Sequence, residues 1–221
     1  MAYLERTRRS GVTALAHLDG AGMDDALAQM IRKIDGMSRG APEGGRLEAH
    51  LVGGFQDDRQ ESAKLFDELI HHMREWTRDI HLVTACVCEA NDVVKPADGV
   101  HYPSIYGIGV HCKTGAVFPA TFPDHGPDDA LRAARHFTGS NRRRVTDIYD
   151  SESRRLVIDP FHLEPWEDAE LWLLQSDERI LRCLSTSPKQ EPEYFVRHMR
   201  QTLTFIAQNP SVEEMLRCFT W

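Results

Sequence analysis

The strongest structural signal in this chain is a strand, a helix and a second strand that follow one another between residues 46 and 88. Residues 46–52 alternate apolar and polar side chains, as a half-buried strand does, and a Gly-Gly pair ends the segment. Residues 80–88 are β-branched and apolar enough to predict a buried strand. Between them, one apolar stripe at three- and four-residue steps predicts a core-facing helix, with members Leu65, Phe66, Leu69, Ile70, Met73 and Trp76. Asp58, with Glu61 three residues later, resembles a capping arrangement for that helix.

The remaining patterns complete an α+β fold. Residues 2–7 and 12–17 predict a hairpin that turns around Ser10-Gly11, and a helix of about ten to fourteen residues follows Asp24. Further strands are predicted at 105–112 and 116–118, a hairpin at 145–149 with 156–158, and helices at 126–137, from Ser176, from Pro192 and from Ser211. We predict one domain, residues 1–221, with a mostly antiparallel or mixed sheet packed against several helices.

Composition excludes several classes of protein. The 221 residues carry 26 Lys and Arg against 34 Asp and Glu, a net charge of −8, and the one compact basic run, residues 142–144, is typical of a solvated loop. We therefore expect no nucleic-acid partner. Every apolar run is shorter than the roughly 18 residues of a membrane span, so we expect no membrane association. No apolar signal segment opens the chain, and five cysteines at irregular spacings are typical of reduced thiols. These features predict a cytoplasmic protein, with the nucleus as the alternative location.

The common cofactor motifs do not occur in this sequence. It has no P-loop, no GxGxxG, no HExxH and no paired CxxC. Among its eleven histidines, no zinc-site spacing connects the predicted elements that carry His50, the pair His71-His72, His81, His101 and His111. We therefore expect neither a metal nor an organic cofactor. Cys86 and Cys88 are predicted to share one face of a strand, where they would either react or act as small hydrophobic side chains. His17 ends a predicted strand just before a turn at Gly20, a common place for a functional group, but residue spacing alone identifies no nucleophile for it.

One block of the chain, LEAHLVGGFQDDRQ at residues 47–60, is very similar to a segment of the eukaryotic protein N-terminal asparagine amidohydrolases. Other blocks resemble the same family in the same order, at residues 79–84, 89–92, 102–108, 126–135, 148–150, 184–188 and 195–198. Many long blocks in order are far more specific than one short motif. The chain therefore resembles this family over nearly its whole length.

The resemblance implies a function. Members of the family hydrolyse the side-chain amide of an N-terminal asparagine to aspartate and ammonia, which feeds the N-degron pathway of protein degradation. It implies partners with a free N-terminal asparagine and no cofactor, and we expect a monomer. Residues 13–19 resemble the block that carries the catalytic histidine, so His17 is the expected base, and Asp19 would orient its imidazole if the strand continues that far. The family's nucleophilic cysteine lies on the preceding strand. Its seventeen-residue spacing to the histidine resembles bacterial chemoreceptor glutamine deamidases, which suggests a shared Cys/His deamidase architecture.

The expected nucleophile is not among the five cysteines of this chain. Counting seventeen residues back from His17 leads to the position directly before Met1. A wrongly chosen start, a shortened chain, or a true loss that leaves a module binding N-terminal asparagine would each explain this, and we favour a shortened chain. A further alternative is that Cys86, Cys88 or Cys112 reaches His17 across the sheet.

Selectivity for an N-terminal residue requires a group that reads the free α-ammonium. A desolvated carboxylate forms a strong charge-assisted hydrogen bond with an α-ammonium. An acetylated or internal asparagine has no α-ammonium and would leave this carboxylate without a partner. The carboxylates that lie in the resembling blocks are Glu48, Asp57, Asp58 and Glu89. For each of them the alternative is an ordinary solvated surface position. Discrimination between asparagine and glutamine would come from the depth of a pocket that the sequence does not reveal.

Overall fold

The computed structural model describes residues 2–6, 12–20, 22–38, 46–111, 114–124, 147–157 and 168–208. Backbone proximity groups the chain into two compact units. The first consists of Met1–Asp124 with Arg143–Ile158, and the second of His125–Arg142 with Asp159–Trp221. The α+β class is confirmed, and the division of the chain into domains stays a prediction.

A four-stranded mixed sheet forms the centre of the first unit. Its strands are β1 Ala2–Arg6, β2 Val12–Ala16, β3 Leu47–Gly53 and β4 Ile80–Val87, in the order β2-β1-β3-β4. β1 runs antiparallel to β2 and β3, with Ala2 opposite both Ala16 and Leu51, whereas β3 and β4 are parallel. The start of β1 therefore lies at the same end of the sheet as the carboxyl ends of β2, β3 and β4. We call this end the carboxyl edge. The predicted N-terminal hairpin is confirmed.

Two helices, α1 Met23–Met37 and α2 Glu61–Glu75, pack against the same hydrophobic core. α1 contributes a fully buried side that includes Ala26, Leu27 and Ile34, and β3 contributes Leu47, Ala49 and Leu51. These β3 positions alternate along the strand, as one face of a sheet requires. The predicted α2 stripe is confirmed as core, because Leu69 and Met73 are buried and its other members are partly buried against the same cluster.

The N-terminus of α2 differs from the prediction. The helix begins at Glu61 after Gln60, which has a left-handed φ of 55°, and the capping carboxylate belongs to Asp57. Its Oδ1 accepts from the backbone N–H of Glu61 at 2.8 Å and of Arg59 at 3.1 Å, and Oδ2 accepts from Ser62 N–H at 2.9 Å. Burial alone would raise the pKa of Asp57, but these hydrogen bonds outweigh it and hold the pKa below its ordinary value. The assignment of the cap to Asp58 is wrong.

We expect Asp57→Ala to destabilise the first unit by about 1–2 kcal/mol at pH 7, because the first two N–H groups of α2, at Glu61 and Ser62, and the loop N–H of Arg59 lose their acceptor. The pKa of Asp57 is depressed on folding, so its contribution is present above the ordinary value of 3.8 and is lost as the pH falls through the lower folded value. The difference in unfolding free energy between wild type and D57A should therefore become smaller from pH 7 to pH 3. Denaturant unfolding at several pH values measures it. The neighbouring D58A is the matched control, and an equal loss in D58A would contradict the assignment.

β4 is not the buried strand that its composition predicts. Four of its eight residues are exposed, including Leu82 at 42% and Val83 at 52%, and the other four are half-buried. Among the described residues it pairs only with β3. β-branched and apolar residues favour an extended backbone whether or not both faces are covered, so composition indicated the strand but not its burial. A register shift between Ala49 and His50 of β3 further disturbs the alternation along this pair.

Three short hairpins complete the described part of the first unit. They consist of β5 Asp92–Val94 with β6 His101–Pro103, β7 Ile108–His111 with β8 Ala116–Pro119, and β9 Tyr149–Asp150 with β10 Arg155–Leu156. The β7–β8 and β9–β10 hairpins were predicted, whereas β5–β6 was not. A 3₁₀ turn, Cys88–Asn91, connects β4 to β5.

The described part of the second unit is helical, with α3 Ala169–Leu173, α4 Asp177–Leu184 and α5 Phe195–Gln208. Ser176 caps α4 as predicted, since its hydroxyl accepts from Arg179 N–H at 3.2 Å. α5 starts three residues after Pro192, and α3 was not predicted. The predicted helix at 126–137 and the capping box at Ser211 lie outside the described residues. No helix in the described ranges is long and apolar enough to cross a membrane.

Candidate functional site

Three loops begin at the carboxyl edge, and they carry most of the polar residues that the sequence predicts as site residues. His17 directly follows β2, the Gly53-Gly54 pair leads from β3 into the β3–α2 loop, and the 3₁₀ turn follows β4. Strand ends that share one edge of a sheet hold such groups on a rigid base beside open space. This edge is therefore the candidate site.

His17 is exposed at this edge, one residue beyond the end of β2. Asp19 is exposed as well. Because β2 ends at Ala16, the regular alternation that would put Asp19 on the same face as His17 does not extend to these residues. The orienting role of Asp19 stays a prediction.

The β3–α2 loop, residues 54–60, is held by hydrogen bonds of its own. Phe55 N–H donates to Ser62 Oγ at 3.3 Å, and Asp57 N–H donates to the Phe55 carbonyl at 2.9 Å. Gly54 has a left-handed φ of 70°, and a Cβ built on it would lie 2.9 Å from Ser62 Cβ. Only glycine combines that backbone conformation with so close an approach. The loop is thus ordered although it belongs to no strand or helix.

Asn91 joins this loop to the segment that follows β6. Its side chain is fully buried, at 0% exposure. Nδ2 donates to the Gly54 carbonyl at 2.8 Å, while Oδ1 accepts from Ile105 N–H at 2.9 Å and from the Ser104 hydroxyl at 3.0 Å. A buried amide whose two ends are both used in this way is a strong structural link.

Asp92 makes a second link between the same regions. Its Oδ1 accepts from Gln56 N–H at 2.9 Å in the β3–α2 loop, and its Oδ2 lies 2.6 Å from Nδ1 of His101 in β6. The carboxylate is only 10% exposed. Neither Asn91 nor Asp92 was selected from the sequence. Their position directly after a strand, inside a block that resembles the family, was the available signal.

The four candidate carboxylates do not lie together. Glu48 accepts from Arg46 Nε at 2.7 Å, and the register pairs it through β1 with Thr13, about 13 Å along β2 from His17. Both oxygens of Asp57 are engaged in the α2 cap. Asp58 and Glu89 are exposed in the loops that follow β3 and β4. Glu48 is therefore set back from the carboxyl edge, and the other three follow strands that end there.

Cys86 of β4 is far from His17. β2 and β4 are the two outer strands, so three strand spacings, about 14 Å, separate Cys86 from the strand that leads to His17. Cys88 has left β4 and adopts a φ of 49°, so the prediction that it shares a strand face with Cys86 is wrong. Burial and the carboxylates of Asp57 and Asp67 raise the pKa of the Cys88 thiol. This geometry contradicts a nucleophilic role for either residue with His17, and Cys112 lies outside the described residues.

His50 is a buried polar residue on the sheet face opposite the helices. Its Nδ1 lies 2.8 Å from the hydroxyl of Thr84 on β4, and the residue is 7% exposed. Burial lowers the pKa of His50, and the Glu48 carboxylate offsets part of that effect, so the ring is neutral at pH 7. Within the residues that the structure describes, no group of three or more His, Cys, Asp or Glu side chains is arranged to hold a metal ion.

The sequence profile of one family, described as protein N-terminal asparagine amidohydrolase, matches residues 4–218. This chain belongs to that family. It is 44% identical to the protein N-terminal asparagine amidohydrolase of Mus musculus over 207 residues, which are 94% of this chain and 65% of the relative. Identity to the Homo sapiens protein of the same name is also 44%, over 91% of this chain and 63% of the relative. The protein of the same name from Arabidopsis thaliana is 26% identical over 93% of this chain.

This amidohydrolase family member spans slightly less than two thirds of the length of those relatives. Three of its resembling blocks, residues 47–60, 89–92 and 102–108, meet at Asn91, which follows β4. Asn91 contacts the other two blocks through Gly54 and Ile105. Segments that are distant in the sequence thus form one connected structure at the candidate site.

Proposed function

We propose that this chain carries the catalytic scaffold of an N-terminal asparagine deamidase. The reaction converts the side-chain amide of an N-terminal asparagine into a carboxylate and releases ammonia. The nucleophile is a cysteine directly before Met1, and His17 is the base. Two kinds of observation support the proposal: the names of relatives that are 44% identical, and the pairing of β1 with both of its neighbours.

The register of β1 is the observation that carries the proposed site. Ala2 of β1 lies opposite Ala16 of β2 and opposite Leu51 of β3. Because both pairs are antiparallel, each residue further back along β1 lies opposite a residue one further on in the neighbouring strand. A continuation of the β1–β3 register would set the position before Met1 opposite Gly53, and on its other side β1 would pass beyond the end of β2, beside His17 and Leu18. Its Cα would then be about 6 Å from that of His17, a distance that a thiol and an imidazole can bridge. His17 is outside the pleat of β2, so its ring is not directed to one face by the strand.

The chemistry begins with a proton transfer from the cysteine to His17, which yields a thiolate. The thiolate attacks the carboxamide carbon of the substrate, and backbone N–H groups beside the nucleophile stabilise the tetrahedral oxyanion. His17 then returns its proton to the departing ammonia, and the C–N bond breaks. The resulting thioester is hydrolysed by water, which His17 activates as a base, to regenerate the thiol and release the aspartate product.

Recognition of the free α-ammonium falls to carboxylates at the carboxyl edge. Asp58 and Glu89 are exposed there, whereas Asp57 caps α2 and Glu48 is set back and paired with Arg46. We therefore rank Asp58 and Glu89 above the other two candidates. Asp19 remains the proposed partner of the His17 imidazole.

The product of this reaction is an N-terminal aspartate, which makes the deamidated substrate protein a target for the next step of the N-degron pathway. We propose accordingly that the partners are proteins or peptides with a free N-terminal asparagine, and that the protein acts as a monomer in the cytoplasm and the nucleus. The acidic net charge of −8 favours neither nucleic acid nor an anionic membrane surface as a partner.

A direct test compares this chain with a form extended by one cysteine before Met1. Each is incubated with an Asn-initiated peptide, and mass spectrometry follows the gain of about 1 Da that deamidation produces. We expect conversion by the extended form alone and none with the N-acetylated peptide, because the acetyl group removes the α-ammonium. Extension by serine is the matched control. If neither chain converts the peptide but both bind it, the chain is a recognition module for N-terminal asparagine and the deamidase proposal is wrong.

A further inference from the structure

Two consecutive side chains connect the β3–α2 loop to the region around β6. Asn91 joins the Gly54 carbonyl to Ser104 and Ile105, and Asp92 joins Gln56 N–H to His101. We call this pair the Asn91–Asp92 clasp. The two residues end the 3₁₀ turn and begin β5, so they are themselves anchored to the sheet through β4.

The clasp acts on a loop that the sheet does not hold. Residues 54–60 pair with no strand among the described residues, and the bonds from Phe55 and Asp57 hold the loop only against itself and α2. Among the described contacts, the Asn91 amide connects it to the segment after β6 and the Asp92 carboxylate connects it to the β5–β6 hairpin. The position of the loop relative to the rest of the carboxyl edge therefore depends on these two residues.

The loop begins beside the proposed nucleophile. Gly53 is the residue that the extended register sets opposite the position before Met1, and Gln56 is three residues further on. A displacement of about 1 Å in a binding or catalytic element is enough to reduce function about a hundredfold. A carboxylate that holds Gln56 in place thus controls the surface on which the substrate terminus would lie.

We propose that Asp92 is a positioning residue that holds the β3–α2 loop in the conformation that binds the N-terminal residue of the substrate. The inference rests on the proposed function. Asp92 acts through Gln56 N–H, with His101 holding the second carboxylate oxygen, and it does not contact the substrate. Asn91, by contrast, is required for the fold itself, since its amide is fully buried.

The test uses three variants of the chain. D92A removes both bonds, and D92N keeps an oxygen that can accept from Gln56 N–H. D98A is the matched control: Asp98 lies in the turn of the same hairpin and accepts from Val100 N–H at 2.9 Å, but it makes no bond to the β3–α2 loop among the described contacts. The dissociation constant for an Asn-initiated peptide is measured by calorimetry, with its N-acetylated form as reference. Hydrogen exchange resolved to Gln56 and to β3 reports the state of the loop.

We expect D92A to weaken peptide binding by about tenfold or more, to accelerate exchange at Gln56, and to leave exchange in β3 unchanged. D92N should recover most of the affinity, and D98A should bind like wild type. Faster exchange throughout β3 in D92A would instead indicate a general loss of stability and would overturn the positioning role.

Two other outcomes separate the inference from the function on which it rests. If wild type prefers the free over the acetylated peptide and D92A binds the free peptide as tightly as wild type does, the positioning role is wrong and the proposed function stands. If wild type does not distinguish the two peptides, the proposed function is wrong and the inference fails with it.

Discussion

Replacing His17 by glutamine in the form extended by a cysteine should lower kcat/KM for an Asn-initiated peptide by about 10²–10⁴-fold, the usual contribution of a general base. Glutamine is close in size to histidine and can form hydrogen bonds, but it cannot take the proton of the cysteine. Because His17 is exposed and lies beyond the end of β2, the substitution removes no core contact. The loss should therefore appear in kcat, with the melting temperature and the affinity for the peptide nearly unchanged.

The matched control for this variant is His81→Gln. His81 is an exposed histidine on β4, and the register pairs it with Glu48, away from the carboxyl edge. We expect H81Q to retain wild-type kcat/KM. A second readout is alkylation of the added cysteine by iodoacetamide at pH 7, which reports the thiolate and should slow in H17Q. An H17Q enzyme with full turnover and unchanged alkylation would eliminate His17 as the base and would require another proton acceptor.

The sequence predicted those features of the fold that depend on periodicity. The α2 stripe and the N-terminal hairpin follow from local spacing and turn residues, and both were confirmed. β3 is a strand as predicted, but its four consecutive residues 49–52 are all buried, so it is not the half-buried strand that its alternation indicated. The prediction that β4 is buried was wrong, because the number of neighbouring strands depends on the whole sheet. The residues of the strand itself do not indicate that number. The α2 cap was assigned one residue too late, because Asp57 and Asp58 differ only in where the loop directs them.

The candidate site was predicted in parts, as single residues without their relationship. The resemblance to the family indicated His17, but only the register shows that the start of β1 lies beside both His17 and Gly53. Glu48 and Glu89 fell in equally similar blocks, yet Glu48 is set back along β3 and Glu89 follows β4. Asn91 and Asp92 were missed because ordinary polar residues acquire their role only when the Gly54 turn and the segment after β6 come together around them.

Substituting Asn91 by alanine is the change expected to cost the most stability. The variant leaves the Gly54 carbonyl and Ile105 N–H without their partner at a fully buried position, and each such group costs about 1–3 kcal/mol. We expect a loss of about 2–5 kcal/mol in the unfolding free energy of the first unit. Hydrogen exchange of amides in β3, resolved by mass spectrometry, measures this unit separately from the helices of residues 168–208. Ser104→Ala removes only the hydroxyl that donates to Asn91 Oδ1 and should cost less than about 1 kcal/mol.

Asn91→Asp distinguishes the two ends of the amide. An aspartate keeps the oxygen that accepts from Ile105 N–H, but its second oxygen faces the Gly54 carbonyl, where wild type has a donor. Burial and this carbonyl should raise the pKa of the new carboxyl above the ordinary value of about 3.9, because only the protonated acid can donate to Gly54. A folded pKa above the unfolded one makes the variant most stable at low pH and less stable as the pH rises. Relative to wild type at each pH, N91D should therefore lose stability between pH 4 and pH 7, whereas the deficit of N91A should be the same at both. A deficit of N91D that does not change with pH would show that the Gly54 contact contributes little to the link.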